Sequence, residues 1–211
     1  MQKKVMFLFD LDGTVTQEET LPIIAKHFHV SEQLDPLTQA AVAGTIPYTE
    51  AFITRVNLLK HLPVDQIADR LSKVPCFPKI LDFIQAHREQ CIIVTTNLRC
   101  WIHSLCEKIG CSYECSEATV QENQIVRLTK MVKKEKVVQQ YQENGYRTVF
   151  IGEGNNDAEA MRKSDVSIAA HLIHTPSKST LQVAHYLACS EKALCRQLTQ
   201  LLSAAPESVP A

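Results

Sequence analysis

Strong charge of either sign is missing from this chain. Lysines and arginines number 22 against 23 aspartates and glutamates, a net charge of −1. That balance excludes a basic field for nucleic acid and a polybasic membrane patch. Long apolar runs are missing too: none reaches the ~20 residues that a membrane helix needs. The basic start runs through an apolar stretch straight into Asp10, a poor match to a secretory signal. The eight cysteines contain no Cys-x-x-Cys pair, and the group His103, Cys106, Cys111 and Cys115 fits no familiar zinc spacing. They read as reduced thiols that fill space in a cytoplasmic protein. Internal repeats are absent. What remains is ordinary globular composition, 45% hydrophobic and 21% charged. A length of 211 residues suits one domain, or one domain with a smaller insert.

Within that plain composition, one stretch stands out. Val5 to Phe9 is an apolar run that reads as a buried strand. It ends on Asp10 and Asp12, with Gly13 freeing the backbone for a sharp departure. Two acids at the end of a buried strand are costly unless something pairs with them. Mg²⁺, commonly held by one or two carboxylates plus substrate phosphate, is an economical partner. A turn built on Asp-x-Asp-Gly is the plainer alternative.

The chain then changes character twice. Residues 16–77 read as helices only: to about Phe28, Ser31 to Ala43, Tyr48 to His61 and Val64 to Leu71. Prolines 75 and 78 close the block. Beyond Pro78 helices alternate with strands: Cys91 to Thr95, a hairpin from Tyr113 to Leu128 turning at Glu122-Asn123, Thr148 to Ile151, and Val166 to Ile168. A helix from Met131 to Asn144 and a last one from Glu191 to Leu202 complete the pattern. The alternation predicts an α/β fold, a doubly wound parallel sheet with helices on both faces. Ligands of such sheets bind beyond the carboxyl ends of the strands. The expected division is a core of residues 1–15 and 78–205, an all-helical cap of 16–77 over that edge, and a frayed tail of 206–211.

Three further clusters sit at strand or helix ends. Thr95-Thr96-Asn97 offers hydroxyls and an amide to an anionic oxygen, or else caps the following helix. Lys130, Lys133, Lys134 and Lys136 gather where a helix starts, against the helix dipole. A phosphate or a set of carboxylates would explain one of them; a solvated face suits the rest. Gly152-Glu153-Gly154-Asn155-Asn156-Asp157 follows a buried strand with more acids and glycines than a cap needs. Acids after two strands, hydroxyls after a third and a lysine nearby make a cation-plus-phosphoryl site.

On these four motifs, in this order, the chain resembles the haloacid dehalogenase superfamily of aspartate-nucleophile phosphatases. Within it the chain is most similar to phosphoserine phosphatases, a likeness that extends through Thr14-Val15-Thr16-Gln17-Glu18-Glu19, Gly44 to Tyr48 and Ala51 to Arg55. The resemblance implies a Rossmann-like core with an inserted helical cap and a Mg²⁺-dependent phosphomonoesterase. Asp10 would attack phosphorus and Asp12 serve as acid and then base. Thr95 and Lys134 would bind phosphoryl oxygens. Asp10, Asp12 and an acid of the pair Glu153 and Asp157 would hold the metal. Glu19, Tyr48, Arg55, Thr96 and Asn97 would contact a small phosphorylated amino acid such as phosphoserine. Two residues have plain competitors: Glu19, which with Thr16 also fits a capping box, and Arg55, which also fits an exposed helix position. Two departures leave alternatives open. Glu153 stands where the family usually has Asp, and Thr96 competes with Thr95 where the family loop is richer in glycine. Other phosphomonoesters, a small metabolite or a phosphotyrosine protein, remain alternative substrates. A phosphomutase or an idle phospho-ligand-binding protein remains an alternative activity.

Overall fold

Every residue of the first strand is buried because each side of it meets a different core. β1 (Val5–Phe9) sends Phe7 and Phe9 into one apolar cluster and Met6 and Leu8 into another. This period-two division is the mark of a central strand covered on both faces. Burying Phe7, Leu8 and Phe9 completely contributes about 1.5–3 kcal/mol for each side chain. The computed structural model describes residues 4–203. The expectation for 206–211 lies outside the described residues.

Four helices follow β1 before any further strand: α1 (Thr20–His27), α2 (Ser31–Val42), α3 (Tyr48–Leu59) and α4 (Val64–Leu71). An isolated bridge between Thr16 and Cys76 ties the two ends of this insert together. The chain then alternates. α5 (Pro78–Ala86) leads to β2 (Cys91–Leu98), and α6 (Arg99–Ile109) to β3 (Ser112–Gln121) and β4 (Gln124–Lys130). α7 (Lys134–Glu143) leads to β5 (Arg147–Gly152), and α8 (Ala158–Lys163) to β6 (Val166–Ala170). α9 (Lys178–Leu181), β7 (Tyr186–Ala188) and α10 (Glu191–Ser203) end the described chain.

The seven strands form one sheet in the order β4-β3-β2-β1-β5-β6-β7. The first cluster takes residues of α5, α6, α10 and the insert; the second takes those of α7 and α8. Helices therefore cover both faces, as the alternation predicts. The sheet is not wholly parallel, however: β4 runs antiparallel to β3. A two-residue turn at Glu122 and Asn123, both with positive φ, forces that reversal. Other differences are local. α7 begins at Lys134 rather than Met131, because β4 carries the chain through Lys130 first. α9 and β7 have no counterpart in the sequence reading. β7 is three residues long with two of them exposed, which leaves no periodic signal.

Contacts through α4 help hold the helical insert to the sheet. α4 packs against α6. The β3–β4 turn also reaches α4, whose first amides have no cap from their own side chains. Val64 N donates to Asn123 O at 2.9 Å and Asp65 N to Asn123 Oδ1 at 3.0 Å. Among the described residues, no helix is long and apolar enough to cross a membrane.

Candidate active site

The central strands β1, β2 and β5 stop at the same edge, and their following loops carry the candidate residues. At β1, Asp10 N extends the ladder to Ile151 O at 2.8 Å. The chain then folds tightly: Leu11 O accepts from Val15 N, Thr16 N and the Thr16 hydroxyl. Gly13 sits at φ +67° in this turn, where a side chain would be strained and would crowd Glu19 and Ile173. At β2, the register with β3 breaks between Val94 and Leu98. That irregularity lifts Thr95, Thr96 and Asn97 out of the regular ladder. At β5, Gly152 lets Asp157 approach: a Cβ there would lie 2.5 Å from Asp157 Oδ2.

Lys134, from the start of α7, is the hinge of the electrostatics. It is 2% exposed and lies 2.5 Å from Asp10 Oδ1 and 2.7 Å from Asp157 Oδ1. Lys130, Lys133 and Lys136 are exposed. Burial works against the Lys134 charge, but Asp10 and Asp157 outweigh it and hold the ammonium above its usual range. Asp10 Oδ1 also accepts from Leu11 N at 2.8 Å. Among the described residues no hydrogen bond engages Asp10 Oδ2. Asp157 is different. Its Oδ1 meets Lys134, and its Oδ2 accepts from Glu153 N at 3.0 Å and Gly154 N at 2.9 Å. Both oxygens of Asp157 are therefore committed, Oδ1 to Lys134 and Oδ2 to closing the turn. Glu153 is held through its backbone, with its carbonyl accepting from Ser177 N and the Thr180 hydroxyl. No hydrogen bond among the described residues engages its carboxylate.

Asp12 is clamped from two directions. Thr20 N donates to Oδ1 at 2.8 Å and Asn97 Nδ2 to Oδ2 at 2.7 Å. Burial still lifts its carboxyl above the ordinary value, against these hydrogen bonds. Asp10 is lifted by burial and by the neighbouring Asp157. Burial, then Asp12 and Glu153, push Glu19 up to about 9. Burial, then Asp157 and Asp12, push Glu153 up to about 7. The edge thus concentrates carboxylates beyond what one lysine neutralises.

The plainer readings of several residues do not hold. Glu19 makes no capping contact although α1 begins beside it, and the Thr16 hydroxyl is spent on Leu11 O and Glu18 O. Glu19 instead lies on a cavity of about 490 Å³, with His174 Nε2 at 3.7 Å. Arg55 is not an exposed helix residue: it is buried on the same cavity. Tyr48 lines it too, sharing a 2.6 Å hydrogen bond with the Thr96 hydroxyl. Asp10, Asp12, Thr96, Asn97 and Glu153 complete the set of sequence-derived residues on this cavity. Thr95 and Lys134 are buried behind it, and the Thr95 hydroxyl accepts from Asn97 N at 3.2 Å. Two lining residues gain roles from the structure: Asn155, a member of the Gly152-to-Asp157 motif with no role of its own in the sequence reading, and Trp101, which had no sequence signal. Asn155 donates to the Ala41 and Val42 carbonyls at the end of α2, which closes the insert onto the sheet edge. Trp101 lies on α6, and its orientation depends wholly on packing.

With the geometry in place, the comparison with known proteins is specific. Residues 7–162 match the model of haloacid dehalogenase-like hydrolases. A phosphoserine phosphatase of Methanocaldococcus jannaschii is 24% identical over 187 residues, 80% of this chain and 86% of that protein. One from Archaeoglobus fulgidus is 26% identical over 183 residues, 80% of this chain but 53% of that longer protein. Among solved structures, a substrate-bound phosphoserine phosphatase complex superposes with a TM-score of 0.79 at 20% identity, covering 94% of this chain and 99% of that one. A phospho-aspartyl intermediate analogue of phosphoserine phosphatase gives a TM-score of 0.78 at 19% identity, covering 93% and 99%. These structural likenesses show a shared fold. Because the matched span runs from within β1 to within α8 and takes in Asp10, Lys134 and Asp157, the chain belongs to the haloacid dehalogenase-like hydrolase family.

Proposed function

We propose that this hydrolase is a Mg²⁺-dependent phosphomonoesterase that works through an aspartyl-phosphate on Asp10, with a small phosphorylated amino acid as its substrate. The observation that carries the reading is the asymmetry of Asp10. One oxygen is clamped by Lys134 and Leu11 N, while Oδ2 has no hydrogen bond among the described residues. A carboxylate fixed at one oxygen and open at the other is arranged for attack. Relatives and structural neighbours described as phosphoserine phosphatases support the substrate class.

The chemistry follows from the neighbours. Asp10 Oδ2 bonds to phosphorus as the ester P–O bond breaks. Asp12, whose carboxyl is lifted by burial, gives its proton to the leaving oxygen. Asp12 then takes a proton from water, the water oxygen bonds to phosphorus, and the Asp10 carboxylate leaves. Thr20 N and Asn97 keep Asp12 in place through both steps. Thr96, rather than the buried Thr95, offers a hydroxyl to the phosphoryl group in this reading. Glu19 and Arg55 face the amine and the carboxylate of the substrate. The helical insert serves as a cap, held shut by Asn155.

The donor set suits a hard divalent cation. Among the described residues no three His, Cys, Asp or Glu side chains form a chelating group. Mg²⁺ does not need one, since one or two carboxylates plus substrate phosphate are its usual protein ligands. Asp10, the Asp12 backbone carbonyl and Glu153 would hold it, with Asp157 left to position Lys134 and the Glu153 turn. When bound, the ion neutralises surplus carboxylate charge and polarises a phosphoryl oxygen. The test is Asp10→Asn with phenyl phosphate in Mg²⁺. We expect hydrolysis to fall by at least about 10³-fold, as loss of a covalent nucleophile does. Wild-type-like turnover would remove Asp10 from the role.

A further inference from the structure

The cavity beyond the carboxylates has an apolar wall. On α3, Phe52, Arg55, Val56 and Leu59 recur at helical spacing and share one face of the cavity. Trp101, on α6, also lines it. Two buried donors on this wall lack partners: Arg55 Nη2 and Trp101 Nε1. Arg55 spends its Nε on Ala51 O and lies over the Tyr48 ring, 5.4 Å from its centroid. Trp101 is 3% exposed. A buried N–H without an acceptor is unfavourable, so a native fold that keeps two beside a cavity calls for an acceptor from a ligand.

We infer that Trp101 is a specificity residue: with Arg55 it holds the distal acceptor of a phosphorylated amino acid whose body is apolar and of aryl size. The inference rests on the phosphatase reading and narrows its substrate. A serine-sized body would set its polar atoms against the edges of Phe52, Val56 and Leu59 that line the cavity, which is unfavourable. An aromatic ring gains from that burial and carries its carboxylate farther from the phosphate. The Asn155 contacts that close the insert favour a free amino acid over a residue within a protein chain.

The test uses the whole chain with Mg²⁺ and three probes: O-phosphotyrosine, O-phosphoserine and phenyl phosphate, which has the ring without the acceptor. We expect kcat/KM for O-phosphotyrosine to exceed that for O-phosphoserine at least tenfold. Trp101→Phe keeps a ring and removes the N–H. It should lower kcat/KM for O-phosphotyrosine relative to phenyl phosphate about three- to tenfold, chiefly through KM. Trp101 is the single tryptophan of the chain, so its emission reports on the wall directly. In the Asp10→Asn protein, O-phosphotyrosine should shift that emission and inorganic phosphate should not. Equal or better turnover of O-phosphoserine, or an emission unmoved by O-phosphotyrosine, overturns the inference. Failure to hydrolyse any of the three esters would sink the phosphatase reading instead, because the emission titration needs no turnover.

Discussion

At the scale of single residues, Lys134 sets the terms. Its ammonium lies between Asp10 and Asp157, with all three side chains at most 9% exposed. Such a pair adds little net stability when intact, because desolvating the charges offsets their attraction. Breaking it is another matter. Lys134→Met leaves Asp10 and Asp157 facing each other without a cation. That should destabilise the metal-free protein by about 3–5 kcal/mol, read from urea unfolding in a chelator. A loss under 1 kcal/mol would mean that water or backbone amides already neutralise these acids. The sequence places Lys134 in the site only through its family pattern. Four lysines share the segment, and the one that turns inward is chosen by the β4-to-α7 junction. Trp101 is harder still. Nothing in its neighbours marks an indole N–H as unpartnered, since that depends on how α3 and α6 come to line one cavity.

At the scale of elements, the legible features were those with a local cause. The strand-then-acid pattern of β1 and β5 announced itself because burial and chemistry change within three residues. The helical insert was visible as a stretch with no apolar alternation. The cap of α4 was not legible, because it comes from elsewhere in the chain. α4 opens after Pro63 and has no side-chain cap of its own. Asn123, from the hairpin turn, supplies one, and its Nδ2 returns a bond to Asp65 Oδ1 at 2.5 Å. It does so from φ +62°, which Asn tolerates better than most residues. Two substitutions separate these roles. Asn123→Gly keeps the turn and removes the side-chain cap, which should cost about 1 kcal/mol. Asn123→Ala adds backbone strain and should cost about 1 kcal/mol more. Both should speed amide exchange in α4 ahead of the central strands. Exchange that rises equally everywhere would mean that the hairpin does not anchor the insert.

For the molecule as a whole, near-neutral composition hides a sharply uneven interior. The net charge of −1 is spread over the surface, yet Asp10, Asp12, Glu19, Glu153 and Asp157 gather at one sheet edge. The fold places them there because the ends of β1 and β5 and the start of the insert converge. The consequence is a pH dependence of the metal-free protein. An ordinary Glu releases its proton near 4.5, as both glutamates would in the unfolded chain. Folded Glu153 keeps its proton to about 7 and folded Glu19 to about 9, each chiefly through burial. Between those limits the folded state binds more protons than the unfolded one. By linkage its stability is greatest near the unfolded value and falls as pH rises through the folded ones. Asp69, whose carboxyl is lowered by Lys73, titrates below this window and does not oppose the trend. Melting temperature measured in a chelator should therefore decline steadily from pH 5 to about 9. Glu19→Gln should flatten the upper half of that decline, leaving the part that Glu153, Asp10 and Asp12 control, since burial lifts all three carboxyls. Added Mg²⁺ should flatten the remainder, because a bound cation favours the ionised carboxylates and stabilises the folded state by mass action. A melting temperature that rises with pH in the chelator would show that these acids are ionised without any metal. The cation would then have no surplus charge to neutralise.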